Sequence, residues 1–164
     1  MKHFLTGMVL AGLTCSASAQ TLWRDAPMQA SPAEIRALMP EARDTSPARR
    51  AAEPGALLEI VDTPIADESF TATYLFESDR LQRIHLRTQP PTPQRVQALL
   101  RTLQDSLRAR YGLPISTKTR PGAALGAVDL KWSFRRMNVL LQMSDGKTVN
   151  LVYEANIPNR PAGL

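Results

Sequence analysis

Five short runs in this chain alternate apolar and polar side chains with the two-residue period of a half-buried β-strand, and that pattern limits the fold more than anything else. Phe70, Ala72, Tyr74 and Phe76 alternate with Thr71, Thr73 and Leu75, and Ile84 and Leu86 alternate with Arg83, His85 and Arg87. Leu130, Trp132 and Phe134 point one way in the third run, Met137, Val139, Leu141 and Met143 in the fourth, and Val149, Leu151 and Tyr153 in the fifth. Residues 56–61, Ala-Leu-Leu-Glu-Ile-Val, form a sixth and more uniformly apolar run. Successive strand side chains face opposite sides, so these runs describe a sheet with one apolar face that must be covered.

Two helical patterns supply the cover. Over residues 92–111, Val96, Leu99, Leu100, Leu103 and Leu107 recur at helical spacing behind Thr92-Pro93, a capping residue and a proline in the first turn. Tyr111-Gly112-Leu113-Pro114 ends the run, with glycine as the cap and proline blocking continuation. A shorter helix opens at Ser31-Pro32-Ala33-Glu34, where Ser31 caps and Glu34 completes a capping box, and Pro40 limits it to about two turns. The order is helix, three strands, helix, three strands. It predicts one α+β domain over residues 20–156, a largely antiparallel sheet of about six strands with one short and one long helix on a single face. Residues 40–55 hold three prolines and no hydrophobic residue larger than alanine, so they read as a flexible loop; residues 115–126 read as a second loop, and the tail from 157 as frayed. The repeated order suggests an internal duplication, without a residue-level match between the halves. Ser144-Asp145-Gly146-Lys147 reads as a hairpin turn.

The N-terminus sets the expected compartment. Met1-Lys2-His3 gives a short positive start, an apolar stretch runs from Phe4 to Leu13, and small residues end in an A-x-A pattern at Ala19. That order is a cleavable signal peptide over residues 1–19, and its apolar stretch is shorter than the roughly 20 residues needed to span a bilayer. The alternative, a lipoprotein anchored through Cys15, is disfavoured because Thr14 and Gly12 stand where a lipobox asks for a small and an aliphatic residue. The expected location is the periplasm. Of the 20 basic residues only Lys2 leaves with the signal peptide, so 19 remain against 15 acids, a net charge of +4. The only cysteine leaves as well, so the remaining 145 residues hold together by their core, without disulfides. No remaining segment is apolar and long enough for a transmembrane span.

The residues left exclude several chemistries. With one histidine and no cysteine after cleavage, cysteine nucleophiles, disulfide exchange and multi-histidine metal sites are out, and no H-E-x-x-H, G-x-S-x-G or phosphate-loop motif occurs. No metal, cofactor or catalytic residue is expected. Arg83, His85 and Arg87, on the polar side of one strand, form the candidate binding stripe for an anion or acidic partner, with His85 its pH-sensitive member. An ordinary solvated sheet face accounts for the same residues. Arg95, Arg101, Arg108 and Arg110 lie off the apolar stripe of the long helix as a solvated face; nucleic acid is not the expected partner, because no aromatic residues interleave with them. Asp62, Asp67, Glu68, Glu77 and Asp79 read as soluble turns. Trp23, Trp132, Tyr74, Tyr111 and Tyr153 are aromatic residues that could line a ligand groove; most fall in phase with core positions, which favours core packing, whereas Trp23 lies outside any regular pattern.

The layout of the capped helix Ser31-Pro32-Ala33-Glu34-Ile35, paired strands, a long helix ending Tyr111-Gly112-Leu113-Pro114, then Trp132 and strands to Tyr153 resembles small exported bacterial proteins of uncharacterised function. It is also similar to the helix-and-sheet units of the outer-membrane assembly lipoprotein BamE and of the β-lactamase inhibitory protein. A self-sufficient fold with little catalytic equipment and a basic strand stripe points to a non-enzymatic periplasmic binding module that contacts a protein or envelope component through its open sheet face and loops. An inhibitor or immunity protein of a periplasmic hydrolase is the alternative within binding. From another class comes a hydrolase using carboxylates such as Asp67 and Glu68.

Overall fold

The computed structural model describes residues 20–117, 128–143 and 145–157. Residues 1–19, the expected signal peptide with Cys15, residues 118–127 of the second expected loop, Ser144 of the expected hairpin turn and the tail from 158 lie outside the described residues.

Short strands β1 (Thr21–Trp23) and β2 (Ala26–Pro27) pair as a small sheet of their own. They lead into α1 (Pro32–Leu38), a two-residue strand β3 (Arg43–Asp44) and α2 (Pro47–Ala52). Then come β4 (Ala56–Ile65), β5 (Glu68–Glu77), β6 (Arg80–Thr88) and α3 (Pro93–Tyr111), and the chain finishes with β7 (Ser116–Thr117), β8 (Val128–Phe134), β9 (Met137–Met143) and β10 (Val149–Ala155). The cap residues do what their chemistry suggests: Ser31 accepts from the Glu34 backbone while Glu34 reaches back, and Ser46 and Thr92 cap α2 and α3. Turns Ala66-Asp67 and Ser78-Asp79 both hold positive φ at their two central residues, as tight two-residue hairpins require.

The main sheet has eight strands in the order β3-β4-β5-β6-β10-β9-β8-β7, antiparallel throughout. That order reads the same from either edge, a short strand and a three-stranded meander, then a meander and a short strand. The register carries the symmetry further. Tyr74 faces Ile84 as Leu141 faces Leu151, and Ile60 faces Ala72 as Trp132 faces Val139. At the seam Leu86 faces Leu151 and Ile84 faces Tyr153, so a two-fold axis passes through the His85–Val152 pair. The strand order and pairing therefore repeat about this axis, with no residue-level match between the two halves.

One contiguous core runs along one face of this sheet. Leu58, Ile60, Tyr74, Ile84, Leu86, Leu130, Trp132, Val139, Leu141 and Leu151 are all buried there. Ile35 of α1 and the stripe Val96, Leu99, Leu100, Leu103 and Leu107 of α3 close over them. Two buried polar groups on that side find partners: Trp132 Nε1 donates to the Gly112 carbonyl at 2.9 Å, and the Tyr74 hydroxyl contacts Met39 Sδ at 3.0 Å.

Three expectations are corrected. The sheet has eight strands, not six, because two-residue strands carry no readable alternation. Among the described residues there are three helices, not two; the stretch 40–55, expected to be a loop, carries β3 and α2. The helices do not share a face. Arg49 and Glu53, at the end of α2, contact Thr73 and His85, whose side chains alternate with the inward-facing Ala72, Tyr74, Ile84 and Leu86. So α2 lies on the outer face. No helix among the described residues is long and apolar enough to cross a membrane.

Gly55 sits where α2 turns into β4, at φ +87, and a Cβ there would lie 2.5 Å from the Phe76 carbonyl oxygen. Gly112, also at positive φ, has nothing within 4 Å of that position. Gly55→Ala must therefore move backbone, whereas Gly112→Ala carries conformational strain alone. In urea unfolding, Gly55→Ala is expected to cost about 3 kcal/mol and Gly112→Ala about 1 kcal/mol; equal costs would contradict the close approach.

Candidate functional site

Strand β6 presents Arg83, His85 and Arg87 together on the outer face, as the alternation requires. Two of the three are already engaged. Arg83 Nη2 donates to Glu154 Oε1 at 2.6 Å, directly opposite on β10. His85 is half-buried, its Nδ1 3.1 Å from Glu53 Oε1 and its Nε2 3.3 Å from Asn150 Oδ1. Glu53 also pairs with Arg49 at 3.3 Å, and Arg49 Nη2 donates to the buried Thr73 hydroxyl at 3.1 Å. The histidine thus belongs to a polar clamp that holds α2 on the sheet. Only Arg87 stays exposed without a carboxylate partner among the described residues.

The acidic residues are dispersed. Glu68 accepts from Arg95 Nε at 2.6 Å, the Asp67 carbonyl accepts from the same guanidinium, and Asp62 accepts from Ser69. Among the described residues no three metal-ligating side chains converge.

A different group of side chains gathers at the end of the molecule where β1, the last turn of α3 and the β8–β9 hairpin meet. They enclose a cavity of about 580 Å³ lined by Trp23, Arg24, Arg110, Tyr111, Phe134 and Arg135, with Met137 and Tyr153 among its inner walls. Each arginine lies over an aromatic ring: Arg24 4.5 Å from the Trp23 centroid, Arg110 5.6 Å from Tyr111, and Arg135 5.2 Å from Phe134. The Tyr111 and Phe134 rings are themselves 5.5 Å apart and tilted. Such contacts contribute about 0.5–1 kcal/mol each at exposed sites. The lining contains no carboxylate, and among the described residues none of the three arginines has an acidic partner.

Two further features fit a binding role. Burial raises the Tyr111 phenol above the usual tyrosine range and raises Tyr153 further, with Arg110 acting in the opposite sense on both. Both phenols therefore keep their protons at neutral pH, and because the two hydroxyls hydrogen-bond each other, one donor of the pair is left for a ligand. In addition, Arg24 and Arg135 hold φ of +50 and +55, a left-handed backbone that costs a non-glycine residue about 1 kcal/mol or more and gathers at functional sites.

Of the cavity residues, Trp23 stood out in the sequence as an aromatic without a core role, whereas Arg110 read as part of a solvated helix face. Arg24, Phe134 and Arg135 gave no reason for selection one at a time. The available signal was adjacency: Trp23-Arg24, Arg110-Tyr111 and Phe134-Arg135 are three arginine–aromatic dipeptides.

No family model matches this chain, and no curated protein matches it. Among solved structures it is similar to the DUF4309 family protein YjgB from Bacillus subtilis, with 12% sequence identity and a TM-score of 0.45 over 76% of this chain and 78% of that one.

The clamp on α2 is open to a direct test. Helix α2 has no buried residue, so polar contacts and its Ser46 cap are what hold it. Glu53→Ala removes the partner of both Arg49 and His85. Amide exchange across residues 47–53 is then expected to quicken about tenfold or more, the effect of losing hydrogen bonds to a charged group, while β5, β6 and β10 keep their protection. Unchanged exchange in α2 would contradict the clamp.

Proposed function

We propose that this chain is an exported, non-enzymatic binding module that takes an acidic partner, a protein or an envelope component, at the cavity between β1, the end of α3 and the β8–β9 hairpin. One observation carries the reading: three arginines converge on a single concavity that holds no carboxylate. Uncompensated like charges repel one another, and bringing them together lowers the stability of the free protein. A negatively charged partner removes that cost, and its association is accelerated by the local field. The expected stripe on β6 is a poorer contact surface, because Glu154 and Glu53 already satisfy Arg83 and His85.

A carboxylate-dependent hydrolase draws less support. Its candidates Asp67 and Glu68 sit at the β4–β5 hairpin, the Glu68 carboxylate is bound to Arg95, and neither residue lines the cavity.

The test is affinity capture of the tagged, processed protein from native envelope extract at low and moderate salt, with Arg110→Glu/Arg135→Glu and Arg87→Glu compared against the parent. A stoichiometric partner is expected, weakened by salt, lost in the double variant and kept in Arg87→Glu. Loss in Arg87→Glu with retention in the double variant would move the contact to the outer sheet face and overturn the proposed site.

A further inference from the structure

The dimensions and chemistry of the cavity restrict what can fill it. We infer that the group bound there is a flat ring carrying two or more oxyanions, carboxylate or phosphate. This rests on the reading of the cavity as the binding site and adds the class of ligand.

The argument begins with the guanidiniums. Arg24, Arg110 and Arg135 each lie beside an aromatic ring and pair with no carboxylate among the described residues, so their planar N–H forks remain for carboxylate or phosphate oxygens, which such forks fit two at a time. Three forks with no internal acid call for more than one negative charge. Trp23 and the tilted Tyr111–Phe134 pair supply aromatic wall, to which a ring adds by stacking or edge contact. The hydrogen-bonded hydroxyl pair of Tyr111 and Tyr153 adds one neutral donor. A volume of about 580 Å³ lies within the range of pockets that enclose small molecules, so the occupant is a free small molecule or a single group of that size on a larger partner.

The backbone at the cavity supports preorganisation. Arg24 occupies the β1–β2 turn and Arg135 the β8–β9 turn, both at positive φ, so two of the three cations are placed by strained tight turns. A site held before the ligand arrives loses less entropy on binding.

The test is calorimetric titration of the purified protein with benzene-1,3,5-tricarboxylate, benzoate, citrate and pyrophosphate at low salt, with Trp23 fluorescence followed in parallel. The tricarboxylate is expected to bind at least about tenfold tighter than benzoate, which has the ring and one charge. It is also expected to bind at least about fivefold tighter than citrate or pyrophosphate, which have the charge and no ring. Arg110→Ala and Arg135→Ala should each weaken it about tenfold, one fork lost at about 1.4 kcal/mol, and Arg87→Ala should leave it unchanged. Arg135→Lys, which keeps the charge and the fold but not the fork, should fall between parent and alanine variant. A tricarboxylate that binds no tighter than benzoate, or that responds to Arg87→Ala as strongly as to Arg110→Ala, overturns the inference. Pyrophosphate or citrate binding as tightly as the tricarboxylate overturns the requirement for a ring. If no probe binds while Arg110→Glu/Arg135→Glu still abolishes partner capture, this ligand class fails and the binding module stands. If the tricarboxylate binds as expected while capture ignores those variants, the cavity is a ligand site and the partner contact lies elsewhere.

Discussion

The antiparallel pairing of β6 with β10 is the contact on which the rest of the structure depends. Each half of the chain builds a three-stranded meander with one apolar face, and neither face is wide enough to be covered alone. Joining the last strand of each at the Leu86–Leu151 and Ile84–Tyr153 pairs makes one continuous inner face. All four side chains are buried, and truncating a buried aliphatic or aromatic residue of this kind costs about 2–5 kcal/mol. The seam is also the centre of the palindromic strand order, and α1 and α3, each preceding one half, contribute buried residues to the same core.

That symmetry holds for the backbone and fails for the chemistry. The β4–β5 hairpin carries Asp62, Asp67 and Glu68, and its counterpart, the β8–β9 hairpin, carries Arg135 and Arg136. Because the axis passes through the middle of the sheet, these hairpins lie at opposite ends. One end is acidic and closed by the Glu68–Arg95 pair; at the other, α3 ends in Arg110-Tyr111 and the β1 segment completes a cavity. A sheet of palindromic strand order thus carries this cationic pocket at one end.

Much of this fold is legible in the sequence where a side-chain period is long enough to be read. The alternations at 70–76, 130–134, 137–143 and 149–153 became strands, and the stripe from Val96 to Leu107 became the helix that covers them. What could not be read had no period. Helix α2, Pro-Ala-Arg-Arg-Ala-Ala, contains no apolar residue larger than alanine and is fixed by Ser46, Arg49 and Glu53, contacts that exist only once β5 and β6 are in place. Its position on the outer face follows from those contacts and not from amphipathicity. The stripe Arg83, His85, Arg87 was read correctly as lying on one face; its partners Glu53 and Glu154 are 32 and 71 residues away in sequence from His85 and Arg83 and carry no local sign of that pairing. The cavity draws on the N-terminal hairpin, the end of α3, the β8–β9 turn and β10. Only the adjacency of arginine and aromatic residues marks it.

The most direct test of a preformed cationic pocket is observation of the arginines themselves. In nitrogen-15 NMR of the protein titrated with benzene-1,3,5-tricarboxylate, the Nε–H signals of Arg24, Arg110 and Arg135 should shift together with the Trp23 indole N–H. The Arg83, Arg87 and Trp132 signals should stay in place. Shifts centred on Arg83 and Arg87 would return the site to the outer sheet face, and shifts at none of these groups would contradict anion binding by the pocket.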